Sequence, residues 1–309
     1  MRLPRITKFA LYRENPCLLP LYHATRDPSL AKREWTWICK ELKLLYPEIS
    51  KHGLRKKIVN ACQLRARNYP LQYILKSQPF GNIKIDCQQG VLIPRWETEE
   101  WVERVVDKLN RLERLKPLKI LDLCTGSGCI SSFVLANLRV PHTIEAVDVS
   151  KKALKLAVKN CDRAIAHGTV GKINFHQIDV LNEHERVESL LQTSHVLLCN
   201  PPYISDDDFA AQTDISVRKY EPKLALLAKN GGNEFYYKFS QYIKRMLQRN
   251  AKDFVPLSLI VFEIGSTHQA KIVKSLFDDT NWQANIEQDG AHQDRVVIIT
   301  RKDRRLIDI

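Results

Sequence analysis

Residues 119–128 read Lys119-Ile120-Leu121-Asp122-Leu123-Cys124-Thr125-Gly126-Ser127-Gly128, an apolar run ending in a glycine-rich turn that opens a helical stretch at Cys129-Ile130. A buried β-strand fits the run, and the glycines let backbone approach a ligand closely. Outward from this unit the same alternation recurs. Short β-branched or leucine-rich runs at Thr143–Val149, Ile173–Asp179, His195–Asn200, Leu257–Ile264 and Val296–Thr300 alternate with helical stretches of ten or more residues. Repeated βα units predict an α/β fold, a doubly wound and mostly parallel sheet with helices on both faces. Ligands bind such sheets beyond the carboxyl ends of the strands, so the residues following each strand carry the functional signal.

Upstream the pattern differs. Leu30, Trp35, Trp37-Ile38, Leu42 and Leu45, then Ile58, Ala61-Cys62 and Leu64, recur at helical intervals with basic residues between them. From Phe80 the period changes: Phe80, Ile83 and Ile85, then Val91 and Ile93 beyond Asp86–Gly90, predict a β-hairpin. A polar helix over Thr98–Leu115 leads to Pro117. Three parts are therefore expected: a basic helical domain over 1–78, a hairpin and linker helix over 79–116, and the sheet domain over 117–309.

The 309 residues carry 48 Lys+Arg against 35 Asp+Glu, a net charge of +13, and 44% are hydrophobic. These proportions describe a globular chain and exclude disorder over most of its length. Residues 1–80 hold 16 Lys+Arg and 5 Asp+Glu, so nearly all of the excess sits at one end. The longest apolar candidate for a membrane span, Pro256–Ile264, is short and contains Glu263, so no membrane partner is expected. Eight cysteines show no zinc-ligand spacing; reduced thiols in an intracellular compartment and no metal are expected. Residues 1–26 hold five basic side chains and one acid, Glu14, with Leu3, Ile6, Ala10 and Leu11 opposite Arg5 and Lys8. That composition fits a mitochondrial import segment leading to the matrix, with a basic surface helix of a cytoplasmic protein as the alternative.

Three strand ends could serve one adenosine. The turn Cys124–Gly128 offers backbone N–H groups, although such a turn can be purely structural. Asp148, about 20 residues beyond the glycines, could accept from both ribose hydroxyls, or simply cap the following helix. Asp179 is placed to accept from an adenine amino group. The fourth strand ends in Asn200-Pro201-Pro202-Tyr203. Consecutive prolines lack N–H groups and hold the chain extended with its carbonyls free. The Asn200 side-chain oxygen and the Pro201 carbonyl could then accept both N–H bonds of a planar amino group, with Tyr203 as an aromatic face against it.

This combination resembles the class I S-adenosylmethionine-dependent methyltransferases that act on planar nitrogens. Pro70–Leu75, the run Leu92-Ile93-Pro94-Arg95-Trp96-Glu97-Thr98-Glu99, Tyr220-Glu221-Pro222, Glu263-Ile264-Gly265 and Asp294–Val297 are similar to segments of the HemK-type protein glutamine N5-methyltransferases. The stretch Trp96–Trp101 is similar to the fungal mitochondrial members. The resemblance implies S-adenosylmethionine as cofactor and, as substrate, the glutamine of the Gly-Gly-Gln motif in a peptide-chain release factor. It implies cofactor contacts at Asp122, Cys124, Thr125, Gly126, Ser127, Gly128, Asp148, Asp179, Val180 and Asn200. Catalytic roles fall to Asn200, Pro201 and Tyr203, and substrate contacts to these with Pro202, Glu221 and Pro222. Cys124 stands where the family commonly has glycine, and Val180 where some relatives place an aromatic residue. Arg95, Glu97 and Glu99 either order a wall between the domains or are surface charges at a helix start.

Two acceptors at Asn200 and Pro201 would orient a weakly nucleophilic amide nitrogen for in-line attack and stabilise the positive charge growing on it. The first rival is an adenine N6-methyltransferase acting on DNA or RNA, whose exocyclic amine presents the same two donors. A nearly neutral catalytic half argues against it, and direct nucleic-acid binding is not expected. Other readings are a ribosomal-protein glutamine methyltransferase and a non-catalytic RNA-binding factor, although the latter would be expected to lose the motif residues. A monomer is expected.

Overall fold

The computed structural model describes residues 5–111, 117–165, 170–249, 257–278 and 281–302, with the side chains of 5–7 and 249 excepted. Residues 1–4 of the expected import segment, the 112–116 end of the expected linker helix and the 303–309 end of the sheet domain lie outside them. The chain divides into two compact units. One comprises Met1–Gln78, Cys87–Gln89 and Asp214–Glu221, the other Pro79–Asp86, Gly90–Thr213 and Pro222–Ile309.

The first unit is helical: Arg5–Glu14, Leu18–Thr25, Pro28–Leu45, Lys51–Ala66 and Leu71–Leu75. Local chemistry sets the helix starts. The Asp27 carboxylate accepts the Leu30 N–H at 2.7 Å with Pro28 beginning the helix, and Ser50 Oγ accepts the Gly53 N–H at 3.1 Å. Leu18, Leu21, Ile38, Leu42, Ala61 and Cys62 form its core, whereas Trp37 and Leu45, although in helical phase, are exposed. Buried Glu34 is held by Arg65, whose Nε and Nη2 each donate to it at 2.9 Å. Within the same unit Tyr220 sets its ring edge-on to Tyr69 at 4.9 Å and donates to the Arg67 carbonyl at 3.1 Å.

The hairpin forms earlier than the apolar pattern predicts, from β1 (Ser77–Phe80) and β2 (Ile83–Asp86) around Gly81 at φ +54°. Gly81-Asn82 makes the tight connection. Val91 and Ile93 are buried without belonging to a strand, so their alternation reflects burial of a loop.

The second unit is built on a seven-stranded sheet: β3 (Leu118–Leu123), β4 (His142–Asp148), β5 (Gly171–Gln177), β6 (Val196–Cys199), β7 (Leu259–Glu263), β8 (Trp282–Gln288) and β9 (Asp294–Arg301). Their order is β5-β4-β3-β6-β7-β9-β8. Strands β3 to β7 pair in parallel, while β9 runs antiparallel to both β7 and β8. The pattern did not predict β8, Trp282-Gln283-Ala284-Asn285-Ile286-Glu287-Gln288, whose outer position leaves polar side chains on alternate sites. One face of the sheet buries Tyr236, Phe239, Phe262 and Phe277; the other buries Trp101, Val105, Phe133 and Val134. All eight cysteines are free thiols. Strand order reverses at β3, which pairs Leu123 with Val147 on one side and with Cys199 on the other. A crevice is expected beyond those ends.

Candidate active site

The turn after β3 takes left-handed backbone three times, at Cys124 (φ +61°), Gly126 (+57°) and Gly128 (+75°). A cysteine in this conformation carries about 1–2 kcal/mol of strain, which explains why glycine suits position 124. Gly128 packs so closely on the Lys151–Ile165 helix that a Cβ would stand 2.8 Å from the Ala157 Cβ. A Cβ on Gly126 would meet nothing nearer than the Cys124 carbonyl at 3.9 Å, so this glycine faces open space. Below the turn, buried Asp122 accepts from Thr125 Oγ1 at 2.6 Å and Ser131 Oγ at 2.5 Å through Oδ2. Its Oδ1 has no partner among the described residues. Burial pushes the Asp122 carboxyl up to about 6 against the lowering effect of those hydroxyls. Ser127 is buried, with its carbonyl accepting from Asn160 Nδ2 at 2.9 Å.

Asp148, at the end of β4, accepts the Gly126 N–H through Oδ2 and the Ser150 N–H through Oδ1, each at 2.8 Å. It thus ties the turn to the second strand end while keeping lone pairs for a ligand. Burial raises its pKa. Asp179 accepts from the Leu181 N–H at 3.0 Å and from Asn182 Nδ2 at 2.8 Å, and Val180 is buried beside it. Gly126, Asp148, Asp179, Val180, Asn200 and Pro202 line one apolar cleft, with Pro222 and Phe235 on the same lining. Its open floor at Gly126 and its carboxylates at successive strand ends fit an adenosine-bearing cofactor.

At the end of β6 the Asn200 side chain enters a polar network. Asn200 Nδ2 donates to Thr98 Oγ1 at 3.0 Å, and Thr98 Oγ1 donates to Glu263 Oε2 at 2.6 Å. Trp101 Nε1 donates to the same Oε2 at 2.8 Å, Tyr203 OH reaches Oε1 at 3.3 Å, and Tyr236 OH donates to the Glu263 carbonyl at 2.7 Å. Burial raises the Glu263 and Tyr203 pKa values. The Tyr203 ring lies where a Cβ on Gly265 would come within 2.7 Å, and its carbonyl accepts from Gln269 Nε2, also at 2.7 Å. Beyond it Ile204 pairs with the 226–228 segment, donating to the Leu226 carbonyl and accepting from Ala228, each at 2.9 Å.

Residues 106–233 match the Methyltransferase small domain family. The mitochondrial MRF1 N(5)-glutamine methyltransferase MTQ1 of Saccharomyces cerevisiae is 35% identical over 306 residues, covering 96% of this chain and 88% of the yeast protein. The release factor glutamine methyltransferase of Lactococcus lactis is 35% identical over 75% of this chain and 78% of its own length. This chain belongs to the release factor glutamine methyltransferase family. A third relative, from Thermodesulfovibrio yellowstonii, is 32% identical over 85% of this chain and 90% of its own. The protein is thus an enzyme with the class I methyltransferase fold, and its methyltransferase domain implies S-adenosylmethionine use.

Within this glutamine methyltransferase the site residues expected from sequence separate into groups. Cys124, Gly126, Asp148, Asp179, Val180, Asn200, Pro202 and Pro222 share the cleft lining. Asp122, Thr125, Ser127 and Gly128 lie beneath it and set the turn. Pro201 and Tyr203 are not on the lining among the described residues; Tyr203 turns its hydroxyl to Glu263. Glu221 is buried and belongs to the first unit, Pro222 to the second. Between Glu97 and Glu99 the buried side chain is Thr98, and the family-like segments containing Thr98 and Glu263 were the only sequence signal for these two. Trp101 stands in the stretch similar to the fungal members, and Gln269 had no signal. Among the described residues no cluster of His, Cys, Asp or Glu could hold a metal, and no helix is long and apolar enough to cross a membrane.

Proposed function

We propose that this chain methylates N5 of the glutamine in the Gly-Gly-Gln motif of a mitochondrial peptide-chain release factor. The carrying observation is the Asn200-Pro201 pair at the end of β6. Asn200 spends its NH2 on Thr98, and among the described residues neither its Oδ1 nor the Pro201 carbonyl receives a hydrogen bond. Two unbonded acceptors on consecutive residues match in number the two N–H bonds of a primary amide.

S-adenosylmethionine, when bound, supplies an electrophilic methyl group on a sulfonium. Asp148 would hold its ribose, Asp179 and Val180 its adenine, and the turn at Gly126 its remaining length. A glutamine amide nitrogen is a weak nucleophile because its lone pair is delocalised into the carbonyl. Asn200 and Pro201 orient that nitrogen and stabilise the positive charge it gains, and orientation of this kind supplies up to about 7–11 kcal/mol. Among the described residues the cleft lining contains no His or Lys, so the amide proton passes to water once the N–C bond has formed. The basic first unit suits an acidic or ribosome-associated partner, and the yeast relative's mitochondrial name supports the mitochondrion as location.

Labelled S-adenosylmethionine with a release factor, wild type and with the Gly-Gly-Gln glutamine changed to alanine, tests the reading. Label is expected on the wild-type substrate alone, and the Asn200→Ala enzyme should bind cofactor yet transfer nothing. Label on the alanine substrate, or only on nucleic acid, would overturn it.

A further inference from the structure

We propose that Glu263 and Thr98 are positioning residues: they form a hydrogen-bond relay that dictates which end of the Asn200 amide faces the substrate. The inference rests on the glutamine reading above and deepens it, because only an oxygen at that position can accept a substrate N–H.

An asparagine side chain is nearly symmetric in shape, and its two orientations present opposite hydrogen-bonding characters. In this site the neighbours decide. Trp101 Nε1 can only donate, so Glu263 Oε2, 2.8 Å away, must be an acceptor. Thr98 Oγ1 stands 2.6 Å from the same oxygen, and its single hydrogen satisfies that contact. Two oxygens 2.6 Å apart need a hydrogen between them, whereas the Asn200 contact is longer at 3.0 Å, so the Thr98 hydrogen lies on Glu263 Oε2. With its hydrogen committed, Thr98 can only accept at the 3.0 Å contact, and Asn200 must present Nδ2 there. Oδ1 is left pointing away from Thr98. The order of donors survives protonation of Glu263, because a proton on Oε1 leaves Oε2 an acceptor and finds the Tyr203 hydroxyl oxygen at 3.3 Å.

The relay joins three distant stretches: the start of the Trp96–Asn110 helix, the end of β6 and the end of β7. Thr98, Trp101 and Glu263 are all buried. They act on the substrate nitrogen only through Asn200, the one member of the relay on the cleft lining.

Steady-state methylation of a release factor by Thr98→Val, Thr98→Ser and Glu263→Gln enzymes tests the relay, with S-adenosylmethionine affinity measured calorimetrically. Valine matches threonine in shape but neither donates nor accepts. Its kcat is expected to fall about 100-fold, the loss typical of one misplaced transition-state acceptor, with KM and cofactor affinity within about threefold. Serine restores the hydroxyl and should recover kcat to within about fivefold. Glutamine at 263 can still place its oxygen towards Trp101 and Thr98, so Glu263→Gln should also stay within about fivefold. Wild-type kcat in a folded Thr98→Val enzyme overturns the relay, as does a serine variant no better than valine. A folded Glu263→Gln enzyme with a 100-fold loss assigns the role to charge and overturns it too, which keeps the test decisive if the valine variant does not fold. A wild-type enzyme that leaves the release factor unlabelled, while all variants match it on another substrate, removes the glutamine reading itself and the inference with it.

Discussion

Gly126 donates its backbone N–H to Asp148 Oδ2 at 2.8 Å, so the ribose acceptor expected from sequence is also a brace for the glycine turn. With Oδ1 accepting from Ser150 at the same distance, both carboxylate oxygens face N–H donors. An amide there must turn its NH2 towards one of them. Asp148→Asn is therefore expected to lose at least tenfold in S-adenosylmethionine affinity, about as much as Asp148→Ala, since one donor is opposed by another in place of being satisfied. Calorimetric titration checks this, and near-native affinity in the Asn variant would show that the carboxylate does not brace the turn.

The glycines of the turn have different tasks, and alanine separates them. At Gly128 the added Cβ would sit 2.8 Å from the Ala157 Cβ and 2.9 Å from its Cα, on top of a positive φ. Backbone on both sides cannot yield, so Gly128→Ala is expected to cost about 3 kcal/mol of stability or more. Gly126→Ala carries only the left-handed strain of about 1–2 kcal/mol, because its Cβ points into open space. That variant should stay folded yet bind S-adenosylmethionine poorly, as the methyl occupies the cleft floor. Thermal melts beside titrations would reveal the reverse order, if these assignments are wrong.

Asp122 gives a pH signature. Its folded pKa of about 6 lies above the ordinary carboxylate value of 3.8, mainly through burial. A carboxyl raised on folding favours the native state at low pH and loses that contribution as pH rises through the folded pKa. The shift corresponds to about 3 kcal/mol in all at 1.36 kcal/mol per unit, most of it lost between pH 4 and 7. Asp122→Asn keeps one oxygen for Thr125 and Ser131 but does not ionise. In cofactor-free protein its stability relative to wild type is therefore expected to grow by an amount of this order from pH 4 to pH 7, read by denaturant titration. A pH-independent difference would place the Asp122 pKa near its ordinary value.

The contrast between what sequence showed and what it hid follows from periodicity. Strands β3, β6 and β7 are almost wholly buried and read as continuous apolar runs, β4 and β9 have buried centres, and edge strand β5 shows apolar residues only at alternate positions, Ile173 and Phe175, so the chemistry after β3, β4, β5 and β6 stands in plain view. Strand β8 lies at the sheet edge, where Gln283, Asn285 and Glu287 interrupt any such run. Val91 and Ile93 mimicked a strand because buried loop positions also alternate. The relay behind Asn200 was illegible for a different reason. Thr98 and Glu263 are 165 residues apart, and a buried acid at the end of a strand shows its partners only once the strands are assembled. Similarly, the bond from the Tyr203 hydroxyl to that same acid shows only in the assembled fold.

In the first unit the two-pronged grip of Arg65 on Glu34 offers a test of the docking role. Both side chains are nearly excluded from solvent, and Arg65 also donates to the Tyr69 carbonyl at 2.8 Å. Removing one partner of such a pair leaves a buried charge uncompensated and costs about 3–5 kcal/mol. Glu34→Gln keeps the shape and one acceptor, so it should weaken the unit by less than Glu34→Ala, and hydrogen exchange over Pro28–Leu45 should rise in the same order. If this unit recruits the release factor, the loss falls on KM for the protein substrate while S-adenosylmethionine affinity stays native, because recruitment contributes to ground state and transition state alike. A variant with loosened Pro28–Leu45 exchange and an unchanged KM would show that docking does not depend on this unit.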